Sequence, residues 1–138
     1  MAAEDLDSVR QLFDEGWSRG DWSRGVEMFA DDVKVTVFDA DGDAIELNGL
    51  AALRDWLRGF LREWRNVREE YDELLDLGDR ILSRGRQIAE GRVSGAPAVM
   101  PIYFLFVFRD GKVVEFSTTR HEDVAHRRAG LNAREQGL

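Results

Sequence analysis

The stretch "VMPIYFLFVFRDGKVVEF", residues 99–116, decides the fold. Within it, residues 102–108 are seven consecutive apolar or aromatic positions. A strand with one wet face alternates apolar and polar residues, so both faces of this strand need cover. Asp110-Gly111 follows it, and such a pair is the strongest short-range signal for a two-residue hairpin loop. The chain therefore returns as a second strand over about 112–120. Moving toward the N-terminus, "SGAP" and "LGD" separate two further strands, at about 98–109 from 80–92 and at 80–92 from 67–77.

Before residue 66 the period changes. Leu6, Val9, Leu12, Phe13 and Trp17 recur at steps of three and four, as one stripe of a helix does, and Gly20 stops it. Asp21 predicts the cap of a short second helix carrying Trp22, Val26 and Phe29. Val33, Val35 and Val37 share one face of a strand, "DADGD" turns the chain, and 45–47 returns as a short strand. Asn48 predicts the cap of a third helix with Leu53, Trp56, Leu57, Phe60, Leu61 and Trp64 on one side. A short helix near 122–129 ends at Gly130, and 132–138 reads as a loose tail after a single domain over 1–131. Helices followed by a mostly antiparallel sheet make this an α+β protein.

Composition narrows the function classes. A net charge of −8 opposes phosphate backbones, so no nucleic acid is expected. No run of 18 apolar residues is present, and the acidic "MAAEDLDSVR" has no apolar core of a signal peptide, so a cytoplasmic protein without membrane contact is expected. The absence of cysteine removes disulfides, thiolate metal sites and a cysteine nucleophile. Basic charge is nearly all Arg, with Lys only at 34 and 112, which suits a GC-rich bacterial source.

The short motifs lead to no metal or cofactor. In "HEDVAH" the histidines, His121 and His126, lie five apart, about 140° round a helix, where a zinc pair needs a spacing of four. "DADGD" has its glycine too early for a calcium loop and reads as an acidic turn. No phosphate-binding loop, dinucleotide fingerprint or nucleophile elbow occurs. The rings of Phe13, Trp17, Trp22, Phe29, Trp56, Phe60 and Trp64 fit a packed core as well as a ligand box. Arg84 and Arg86 share a strand face, and Arg120 ends the last strand on the side of Phe116 and Thr118. These arginines are surface groups or, if they face a pocket, charged groups held there for function.

The order of these elements, with "RGDWSRGVEMFADDVKV", "NGLAALRDWLRGF", "LLDLGDRIL", "FVFRDGKVVEF" and "EDVAHRRAGL", resembles the nuclear-transport-factor-2-like superfamily, and within it the SnoaL-like group, over about residues 6–131. The resemblance implies a cone in which a curved sheet wraps three N-terminal helices and encloses an apolar pocket for a small hydrophobic molecule. It also implies that Ile102, Phe104, Phe106 and Phe108 face the pocket, while Tyr103, Leu105 and Val107 form a convex face that pairs two subunits in a homodimer. Ketosteroid isomerase of this superfamily would place its base at Val37 and its oxyanion donors at Phe13 and Phe104. All three are apolar here, so that mechanism is not expected.

Two functions follow from the resemblance. One is a cofactor-independent isomerase, cyclase, dehydratase or epoxide hydrolase; the other is a non-catalytic ligand-binding or dimerisation module. For an enzyme, the expected catalytic groups are Arg84, Arg86, Thr118 and Arg120, and the expected ligand contacts are Phe13, Trp17, Val37, Trp56, Phe60, Phe104, Phe106 and Phe116. Asp39, Glu73 and Glu90 are the available carboxylates, none with a clear pocket-facing position.

Overall fold

In the computed structural model, residues 2–23 and 25–131 are described, and the expected loose tail lies outside them. Helix α1 (Ala2–Glu15) buries Val9, Leu12 and Phe13 and carries Glu4 and Asp5 at its positive end. Trp17–Arg19 form one tight turn, closed by Gly20 in the left-handed conformation. The expected second helix does not form. Gly25, at φ +78°, breaks it, and only Val26–Met28 make a turn before the chain extends. Leu12 fixes that glycine, since a Cβ at position 25 would stand 2.2 Å from its Cδ1.

Strand β1 (Phe29–Phe38) turns Val33, Val35 and Val37 inward and pairs with β2 (Ala44–Asn48). Helix α2 (Leu50–Glu63) starts from Gly49 at φ +96°, one residue after the expected cap Asn48, and no side chain caps it. Then follow β3 (Trp64–Asp76), β4 (Arg80–Gly91), β5 (Pro97–Arg109), β6 (Lys112–Thr119) and α3 (Glu122–Ala129). The sheet order is β2-β1-β6-β5-β4-β3, with β1 and β6 parallel and every other pair antiparallel. Asp110 and Gly111, both at positive φ, make the tight β5–β6 hairpin.

Residues 102–108 of the opening stretch are largely covered on both faces. Ile102, Phe104, Phe106 and Phe108 enter the main core with Val9, Phe13 and Trp17. Leu105 enters a second, smaller core on the other face, with Leu82 and with Ala125 and Ala129 of α3; Tyr103 and Val107 pack at its border. On this face α3 covers Leu105, while Tyr103 and Val107 remain half-buried. None of the described helices is long and apolar enough to cross a membrane.

Two bulges curve the outer sheet. On β3 the pairing slips by one residue between Arg65 and Arg68, at Asn66 with φ +52°, and again between Tyr71 and Glu73. At the second, β4 passes so close that a Cβ on Gly85 would lie 1.8 Å from the Glu70 carbonyl oxygen and 2.6 Å from Tyr71 Cα. Only glycine fits there. Gly85→Ala is expected to cost at least about 2 kcal/mol, read as a lower urea midpoint, because backbone rather than a flexible side chain must yield. Gly111→Ala, in an open turn, should cost less.

Candidate functional site

Between α2, the end of α1 and the inner sheet face lies a cavity of about 350 Å³. Trp17, Val37, Phe104 and Phe116 line it from the core side, and Leu53, Trp56, Leu57 and Phe60 line it from α2. Trp56 stacks on Phe60 at 5.6 Å and Phe60 on Trp64 at 6.4 Å, so the helix and the first residue of β3 present a ladder of rings. Of the other expected ligand contacts, Phe13 and Phe106 sit behind this wall. They are 1% and 0% exposed, with ring centroids 6.4 Å apart. They support the cavity and do not line it.

Asp39 and Arg54 also line the cavity, and Glu69, Gln87, Thr118 and Arg120 form a polar group within its apolar wall. Glu69 on β3 stands opposite Gln87 on β4. Gln87 Nε2 donates to Glu69 Oε1 at 2.6 Å, and Arg120 Nη2 donates to Gln87 Oε1 at 3.2 Å. The Gln87 amide is therefore used at both ends, and its orientation is fixed. Glu69 is 2% exposed, and its Oε2 has no partner; neither has the Thr118 hydroxyl. Buried polar atoms without partners are rare because each loses its hydration. Burial pushes the Glu69 carboxyl up to about 8, against the smaller opposing effects of the Gln87 hydrogen bond and the Arg120 charge.

The expected arginines divide. Arg120 reaches the cavity, but Arg84 and Arg86 do not. They lie on the outer sheet face, where Arg84 pairs with Glu73 at 3.1 Å and Glu122 at 3.2 Å, and Arg86 with Glu70 at 2.9 Å and Asp72 at 2.6 Å. Inner positions on β4 are the odd ones, Ser83, Gly85 and Gln87, which pair with inward Phe104, Ile102 and Met100. Among the expected carboxylates, Glu73 and Glu90 are outer ion-pair partners, and Asp39, at the cavity edge, accepts backbone N–H bonds from Asp41 and Asp43. His121 Nε2 lies 3.2 Å from the Ala40 carbonyl and His126 is buried in α3, so the two do not meet.

Glu69 and Gln87 were missed by sequence reasoning. A signal existed for the first: Val67 and Tyr71 flank Glu69 at two residues on either side, as they would on one inward face. The bulge after Tyr71 then turns Glu73 outward and Leu74 inward, which hides the alternation.

Three helices on a curved, unclosed six-stranded mixed sheet define an α+β fold of the cone type. The SnoaL-like domain profile matches residues 9–116, and the chain belongs to this family, within the nuclear-transport-factor-2-like superfamily. An NTF2-like protein of unknown function from Burkholderia pseudomallei has the same fold, with TM-score 0.75, 22% identity, and 90% of this chain and 95% of that one covered. A candidate SnoaL-like polyketide cyclase from Jannaschia sp. CCS1 gives 0.73 at 18% identity, over 92% and 91% of the two chains. TerC, co-crystallised with polyporic acid, gives 0.71 at 16%, over 92% and 98%. None of the curated proteins matches the sequence.

The raised Glu69 carboxyl makes stability depend on pH. Between the ordinary value of 4.5 and about 8 the folded chain holds a proton that the unfolded chain has lost. The stabilising contribution of neutral Glu69 is thus complete below the lower value and is lost as pH rises through about 8, at about 1.4 kcal/mol per unit. Glu69→Gln keeps the shape and cannot ionise. Urea midpoints of wild type should fall relative to this variant on going from acid to alkaline buffer. Parallel pH curves for the two proteins would contradict the raised carboxyl.

Proposed function

We propose that this protein is a cofactor-independent enzyme that moves a proton on a small hydrophobic molecule held in the cavity, with Glu69 as the proton-transfer group. The carrying observation is a carboxyl set among aromatic rings, with one oxygen fixed by Gln87 and the other unpartnered. An acid–base catalyst works best when its proton is exchanged near the working pH, and burial puts Glu69 there. In the step, the Glu69 carboxylate takes a proton from a carbon next to a carbonyl, leaving an enolate. Arg120, within the same cavity, stabilises the negative charge, and Glu69 returns the proton at another atom. Thr118 is a further polar group of the wall, and its hydroxyl supplies a hydrogen bond to the bound molecule.

The relatives support small organic molecules as a class: one is a candidate polyketide cyclase, and another was co-crystallised with polyporic acid. The second reading is a binding module without turnover. Apolar Val37 and Phe104 favour it, because they stand in the cavity where the steroid isomerase relatives have catalytic groups.

β-Tetralone separates the two. Its activated methylene should exchange hydrogen for deuterium in the presence of wild type, followed by proton NMR, with a rate that rises as pH approaches 8 and Glu69 ionises. Glu69→Gln should lose on the order of 10² or more in rate while still binding the ketone. Saturable binding without exchange would sink the catalytic reading and leave the binding module.

A further inference from the structure

Beside the cavity runs a groove whose lining goes against the composition of the chain. Acidic residues outnumber basic ones by 27 to 19, yet among the described residues this groove is lined by Arg19, Arg65, Arg68 and Arg92 and by no carboxylate residue. Two of these guanidinium groups are held from behind. Arg19 Nε donates to the Asp14 carbonyl at 3.0 Å, at the end of α1, and Arg92 Nε donates to the Leu61 carbonyl at 2.7 Å, at the end of α2. The backbone N–H of Arg92 adds a bond to Glu63 O at 3.0 Å. Carbonyls at helix C-termini carry partial negative charge and hold cations well.

A guanidinium bonded only through Nε keeps both Nη groups for another partner, in a planar fork that suits a carboxylate or phosphate. Among the described residues, neither Arg19 nor Arg92 is ion-paired, whereas Arg65 is paired with Glu90 at 3.1 Å and Arg68 lies 3.8 Å from Glu70. Four like charges gathered on one short surface repel each other, and two of them are kept in place by the helix ends.

The groove adjoins the cavity. Trp22 lines both, and Phe60 of the cavity stacks on Trp64 of the groove, with centroids 6.4 Å apart. We propose that the groove binds an oxyanion, the carboxylate or phosphate at the end of a molecule whose apolar body occupies the cavity. This rests on the cavity being a ligand site and adds the class of ligand: an amphiphilic acid, with Arg19 and Arg92 as the groups that read its charge.

Naphthylhexanoate and naphthylhexanol, which differ only in the terminal group, test it by isothermal titration calorimetry. Wild type should bind the acid about tenfold or more tightly than the alcohol, as for a charge-assisted bond. In Arg19→Gln/Arg92→Gln that preference should shrink to within about twofold, with the affinity for the alcohol unchanged, which also reports that the variant is folded. In wild type itself, about 0.5 M salt should erase most of the preference, because the groove is open to solvent. If the alcohol binds and the acid binds no better, the oxyanion site is overturned and the cavity reading stands. If the preference survives in the double variant, the charge is read elsewhere and the proposal is equally overturned. If neither compound binds, both readings fall together.

Discussion

The structure depends on a strand that has no wet face. β5 must be covered on both sides, and the two covers are built from opposite ends of the chain. Helix α1 and the turn at Trp17 close over Ile102, Phe104, Phe106 and Phe108. Helix α3 closes over Leu105. Burial of side chains this large is worth roughly 1.5–3 kcal/mol each, so the strand acts as a spine that holds both ends of the sequence. The inner cover is incomplete, and the space left between it, α2 and the inner face is the cavity. The site is therefore a result of how the central strand is packed.

Much of this was legible because the signals were local and strong. The hairpin at Asp110-Gly111 set β5 against β6, and the family resemblance at Phe104, extended by alternation, assigned each residue from Ile102 to Phe108 to its side. The α2 stripe was equally plain, since Leu53, Trp56, Leu57, Phe60 and Leu61 recur at helical spacing, although Trp64, expected to continue it, begins β3. The second short helix was misread because Trp22, Val26 and Phe29 have helical spacing, while the left-handed Gly25 between them was set by a contact with Leu12 far back in the chain.

The site was harder to read. Its carboxyl lies on β3, the strand whose alternation is broken by an extra residue at each of two bulges. Between the bulges Val67, Glu69 and Tyr71 alternate with outward Glu70, but counting by two fails beyond Tyr71, so the inward run is too short to stand out along the strand. Arg84 and Arg86 were misplaced for a different reason. Alternation on β4 is regular, but nothing in the sequence says which parity is inward; Ser83, Gly85 and Gln87 take the inner side, and the two arginines pair outside with Glu70, Asp72 and Glu73. Charge pairing across β3 and β4 explains these arginines fully, whereas Gln87, between them and the next inward Ala89, bears on the cavity.

Helix α2 has an amphipathic stripe but no fully buried residue. Its apolar side chains face the cavity, so part of the surface that would normally hold a helix in place has only the cavity opposite it. A molecule filling that space would complete the packing of Trp56 and Phe60 and favour the folded chain by mass action. In hydrogen-exchange terms, the amides of α2 would then be the reporters of occupancy, opening readily when the cavity is empty and slowing when it is filled, while those of β5 remain protected throughout.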